Sequence, residues 1–135
     1  MLNETKFTFN SQVCTSKVQS ERLLALGLKK ETADMYWFNE SPYEYLDDWK
    51  CYTYGSDGSE DEIPAWSLHR LIEMMPSLIW HREYQYSLNI NDDGVIYDRM
   101  GIAIVEFIDD NLFDNMIACI RWLIEKNHFN KEYLE

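Results

Sequence analysis

The chain has 135 residues, 46% of them hydrophobic and 15% aromatic, and its 24 Asp and Glu against 12 Lys and Arg leave a net charge of −12. That length and apolar content suit one α+β domain over residues 1–135, able to bury roughly two thirds of its unfolded surface; they exclude an intrinsically disordered acidic chain, which lacks the apolar surface to offset chain entropy. The charge also disfavours direct binding to nucleic acid, where Lys and Arg meet phosphate and release counterions.

The acids are segregated. Residues 31–62 hold ten with one base, Lys50, and residues 92–114 hold seven with one base, Arg99, so the rest of the chain sums to +3. A segregated field can select partners, where a uniform one mainly confers solubility. The first residues, MLNETKFTF, show neither the basic nor the continuous apolar region of a secretory signal. Apolar runs such as Ile102 to Val105, stopped by Glu106, fall far short of the roughly 20 residues that cross a membrane. Cys14, Cys51 and Cys119 are odd in number, far apart and in no C-x-x-C pair, a poor fit to a disulfide framework. These features together predict a reduced, cytoplasmic protein.

In chain order, a first helix is predicted over 16–26. Ser16 and Gln19 form the S-x-x-Q pattern of a capping box. Gly27 supplies a left-handed stop, and Leu28 is placed to fold back onto Leu23 or Leu24. The aromatic stretches 35–38 and 49–54 suit strands, separated by SPYEYLDD. GSDGSEDE, at 55–62, combines turn formers with consecutive carboxylates and reads as a mobile loop. Pro64 suits the beginning of a second helix, with Leu68, Leu71, Ile72 and Met75 at i, i+3, i+4, i+7 before Pro76 ends it. Tyr84, Tyr86, Leu88 and Ile90 then alternate with Gln85, Ser87, Asn89 and Asn91, the best strand pattern in the chain. Asp92-Asp93-Gly94 is the hairpin turn, Val95 to Tyr97 pairs back, and residues 101–108 form a third strand after a turn at 98–100. The last helix starts from Asp109 or Asp110 as cap and lays Leu112, Phe113, Met116, Ile117, Ile120, Leu123 and Ile124 on one face. The fold expected is an antiparallel β-meander with amphipathic helices packed on one face.

Familiar sites are hard to build from these residues. Zinc ligands usually include a close-spaced pair; Cys14, Cys51, Cys119, His69, His81 and His128 contain none, and Cys119 reads as a small core residue. Asn89, Asn91, Asp93 and Gly94 match the opening of a calcium loop, but Met100 stands where its bidentate Glu belongs, so the hairpin reading prevails. His69 and Glu73 are spaced to meet on one helix face as a base and its orienting carboxylate, without any accompanying elbow, phosphate loop or H-E-x-x-H. Asp47-Asp48 and Asp109-Asp110 serve equally as ion ligands or as loop and cap residues. No cofactor or metal is expected.

Trp37, Tyr43, Tyr45, Trp49 and Tyr54 interleave with the first acidic stretch. Trp and Tyr are favoured interface anchors, although alternate aromatics lining the core would read the same way. The expected partner surface is Tyr43, Tyr45, Asp47, Asp48, Trp49, Glu60, Asp61 and Glu62. The alternative is a DNA mimic that occupies a protein's DNA-binding groove, which needs carboxylates in rows on rigid elements.

SERLLALGLKKETADMYW, IPAWSLHRLIEMMP and DNLFDNMIACIRWLIEKNHF, in this order, resemble a group of small uncharacterised proteins of gut-associated anaerobic bacteria and their phages or mobile elements. The resemblance covers about half of the chain and transfers no catalytic or ligand-binding residue. It implies a phage or mobile-element context and an accessory role. The expectation is therefore a non-enzymatic accessory protein that binds an unidentified protein partner.

Overall fold

The structure, a computed structural model, describes residues 11–43, 45–53 and 62–135. Helix α1 spans Lys17–Ala25. Ser16 caps it as expected: its hydroxyl accepts from the Gln19 N–H at 3.1 Å, and the Gln19 side chain accepts from the Ser16 N–H at 2.9 Å. Gly27, at φ 102°, then turns the chain. The Leu28 N–H reaches the Leu23 carbonyl at 3.2 Å, folding a buried Leu28 back beneath the helix.

Two antiparallel sheets follow. In the first, β1 (Met35–Asn39) lies between β2 (Trp49–Thr53) and β3 (Ile63–Ala65). Pro64 therefore does not begin a helix: it pairs with Tyr36 in β3, an edge strand, where a missing N–H costs no ladder bond. Helix α2 (Leu68–Met74) starts three residues later, from Ser67. The Ser67 hydroxyl accepts from the Arg70 N–H at 3.1 Å and donates to the Asp34 carboxylate, which also accepts the Ser67 N–H at 2.9 Å.

The second sheet is a meander ordered β4 (Leu78–His81), β5 (Tyr84–Asn91), β6 (Gly94–Arg99) and β7 (Ile102–Phe107). It bears out the expected antiparallel meander and adds β4, whose four residues are too few to show alternation. The turn expected at 98–100 lies instead at Met100-Gly101, with φ 54° and 81° closing Arg99 on Ile102. In the β5–β6 turn the positive φ belongs to Gly94, at 152°, and not to Asp92 or Asp93. Asn91 holds that turn by accepting from the Asp93 and Gly94 N–H groups at 2.8 and 3.2 Å.

Tyr86, Leu88, Ile90, Val95, Tyr97, Val105 and Phe107 turn one face of the meander into the main core. Helix α3 (Leu112–Glu125) covers it with Phe113, Met116, Ile117, Cys119, Ile120 and Leu123. Its cap is Asn111, which accepts from the Asp114 N–H at 3.0 Å, rather than Asp109 or Asp110. Asp109 is tied down by its backbone: buried Asn115 accepts its N–H at 2.7 Å and donates to its carbonyl at 3.1 Å.

Fully buried Trp66 joins the layers. Its indole N–H donates to the Thr32 hydroxyl at 2.9 Å, and its backbone N–H donates to the Thr15 hydroxyl at 3.0 Å. Each polar group buried here thus finds a partner in place of water. The C-terminal residues clasp the end of α1, the Lys29 N–H bonding to the Tyr133 carbonyl and the Glu135 N–H to the Gly27 carbonyl, each at 2.8 Å. Among the described residues, no helix is long and apolar enough to cross a membrane.

Candidate functional site

Strands β1 and β2 form a hairpin, and the loop between them presents the residues singled out from the sequence. Asn39 fixes both ends of that loop: its side-chain oxygen accepts from the Ser41 N–H at 3.1 Å and from the Asp48 N–H at 2.9 Å. The Glu40 N–H to Asp48 carbonyl bond, at 2.9 Å, carries the ladder one step past the strands. Within the loop, the Leu46 N–H bonds back to the Tyr43 carbonyl at 3.2 Å.

This framework turns Tyr43, Tyr45 and Leu46 outward, with 54%, 79% and 50% of their surface exposed. The two tyrosine rings lie 5.6 Å apart, tilted by 36°. Asp47 and Asp48 are exposed beside them in the chain. Close by, Lys50 bridges to Glu40 at 3.1 Å, and its pKa is raised first by that hydrogen bond and then by the charges of Asp48 and Glu40. The bridge neutralises one acid and leaves the Asp47 and Asp48 side chains to face solvent.

Trp49 does not join the exposed pair. It is half-buried, and the Lys17 ammonium sits 4.2 Å over its ring, tying β2 to α1. Trp37 is half-buried too, donating its indole N–H to the Thr15 carbonyl at 2.8 Å. The two readings of the aromatics therefore divide by position: those in strands pack, and those in the loop between strands stand clear. Glu60 and Asp61, with most of GSDGSEDE and Tyr54, lie outside the described residues. Glu62 is half-buried where the chain enters β3.

The candidate base and carboxylate do meet, His69 Nε2 lying 3.7 Å from Glu73 Oε1, but the His69 side chain is 83% exposed. Glu73 borders a shallow depression near Met75, Asn127 and Tyr133, and His69 does not line it. A larger open groove of about 640 Å³ runs between α1 and α3, floored by Leu26, Phe107, Ile117 and Trp122. Its rim cations are engaged: Arg22 bridges to Asp114, and Arg121 bridges to Glu125 at 3.0 Å.

Two pairs that sequence spacing conceals are brought together by the fold. Cys14 and Cys51, 37 residues apart, are paired as a disulfide. This corrects the expectation that all three cysteines are reduced: separation along the chain says little once Cys14 joins Met35 and Ala65 in a small satellite core against which Cys51 packs. Cys119 is free and buried, and burial pushes its thiol pKa up to about 12. The second pair is His81 and His128, whose ring nitrogens approach to 3.3 Å. No local signal marks either pair, because each partner sits on a different element. No family model matches the chain, and neither a curated protein nor a solved structure matches it.

Proposed function

We propose that this is a non-enzymatic, cytoplasmic accessory protein that binds a basic segment of a protein partner through the acidic, aromatic loop between β1 and β2. The observation that carries the reading is the exposed Tyr43–Tyr45 pair, held on a loop whose two ends are fixed by Asn39 and flanked by the exposed Asp47 and Asp48. Amphipathic aromatic rings present contact area at small entropic cost, and neighbouring carboxylates attract Lys and Arg and set orientation. By sequence, Trp49, Glu60, Asp61 and Glu62 belong to the same proposed acidic, aromatic surface. From the resemblance of these sequence segments we infer a phage or mobile-element setting for such a role. A cytoplasmic location requires the Cys14–Cys51 bond to be reversible, since reducing compartments keep thiols reduced.

The test compares wild type with Tyr43→Ala/Tyr45→Ala and Asp47→Asn/Asp48→Asn variants in affinity capture at about 50 and 200 mM salt, with and without duplex DNA. Loss of the same partner by both variants, unaffected by DNA, supports the reading. Competition by duplex DNA would instead favour the DNA-mimic alternative. Capture that survives both pairs of substitutions removes this surface from consideration.

A further inference from the structure

Among the described residues, three hold a positive φ without being glycine, and two of them adjoin a histidine. Arg82, at φ 59°, follows His81, and Asn127, at φ 61°, precedes His128. Arg82 lies in the turn that closes His81 on Tyr84 between β4 and β5. Asn127 lies at the end of α3, where the His128 N–H returns to the Leu123 carbonyl at 2.8 Å. Both imidazoles are therefore presented by hydrogen-bonded chain reversals and not by free loops.

Trp122 backs the two rings, at centroid distances of 6.2 Å from His81 and 5.7 Å from His128. It is itself stacked on buried Tyr97, whose hydroxyl donates to the Pro76 carbonyl at 2.6 Å. Against this wall, Nδ1 of His81 stands 3.3 Å from Nε2 of His128. That separation is at the long edge of a hydrogen bond. It equals the span of about 3.3 Å between two nitrogens that each lie about 2.0–2.1 Å from one tetrahedral ion.

We propose that His81 and His128 form a two-imidazole site for a borderline transition-metal dication such as Cu²⁺, Ni²⁺ or Zn²⁺, with water completing the coordination. Neutral imidazole supplies the lone pair that such ions prefer, whereas Mg²⁺ and Ca²⁺ seek oxygen. Glu73 borders the same depression as His128, yet its carboxylate faces His69 and Arg70. Among the described residues, no group of three or more His, Cys, Asp or Glu converges. The site is thus an exchangeable one and not a closed structural zinc centre.

The test is calorimetric titration of the tag-free full chain with Cu²⁺, Ni²⁺ and Zn²⁺ at about pH 7.5, with Mg²⁺ as the hard-cation control. One equivalent is expected to bind, Cu²⁺ most tightly. His81→Gln and His128→Gln should each weaken binding at least about tenfold, while His69→Gln leaves it unchanged. Circular dichroism establishes that the variants fold. Should either Gln variant fail to fold, broadening of wild-type imidazole NMR signals by Ni²⁺ decides, and it must select His81 and His128 over His69. Absence of binding at millimolar metal, wild-type affinity in a folded Gln variant, equal competition by Mg²⁺, or broadening of His69 alone would each overturn the proposal.

Discussion

Replacing Gly94 by alanine is expected to destabilise the protein by about 3 kcal/mol, summing about 1–2 for backbone strain and about 1 for each of one or two lost hydrogen bonds. A Cβ at this position would overlap the Phe107 carbonyl oxygen, and would come 2.8 Å from Ile108 Cγ2 and 3.0 Å from the Phe107 carbonyl carbon. The Ile108 side chain can rotate away. The Phe107 backbone cannot, because Val95 pairs with Phe107 where β6 meets β7. The new methyl must therefore break the end of that ladder, in addition to adopting a φ of 152° that side chains avoid. Gly101→Ala is the matched control: its φ is 81°, but nothing lies within 4 Å of the added carbon. It should suffer the strain alone, about 1 kcal/mol. Urea denaturation followed by far-UV circular dichroism gives both values, and at roughly 3 °C per kcal/mol the Gly94 variant should melt about 10 °C below wild type. Equal costs for the two alanines would refute the argument that close approach of β7 is what demands glycine at 94.

Three further outcomes are expected. Asn111→Ala should cost about 1 kcal/mol in the same denaturation assay, and Asp110→Ala almost nothing, since Asn111 and not Asp110 accepts the free N–H of α3. Thiol titration without reductant should find one thiol, that of buried Cys119, reacting only after unfolding; Cys51→Ser should lower stability by up to about 4 kcal/mol through the lost 37-residue loop constraint. The His128 pKa is depressed in the folded state, so the unfolded chain binds the proton more readily. The stability contributed by neutral His128 is therefore complete above the unfolded value of about 6.5 and is lost as pH falls through the folded one. In chelator, wild type should lose more stability than His128→Asn between about pH 7.5 and 5.5, and parallel losses would contradict the shift.

Local interactions were the legible part of this protein. Ser16, Gln19, Gly27 and Leu28 determine both ends of α1 within thirteen residues, so their pattern is visible without knowing what packs above them. The apolar face of α3 and the alternation in β5 are legible for the same reason: each records the period of its own backbone against a single buried side. Capping was less certain wherever candidates were adjacent. Asp109, Asp110 and Asn111 can all accept an N–H, and the choice fell to Asn111 because buried Asn115 holds the Asp109 backbone outside the helix.

What tertiary structure decided is everything that depends on two elements meeting. Pro64 has helix-starting chemistry in isolation, yet β1 captures Ile63–Ala65 as an edge strand and moves the helix start to Ser67, where Asp34 meets it from another part of the chain. Exposure of Tyr43 and Tyr45 beside half-buried Trp37 and Trp49 follows from the hairpin register, since the same residue types pack in strands and project from the loop. The pairing of Cys14 with Cys51 and of His81 with His128 left no trace in spacing. Backbone periodicity is a property of neighbours in sequence and is written there; side-chain convergence is a property of packed elements, and only the assembled fold contains it.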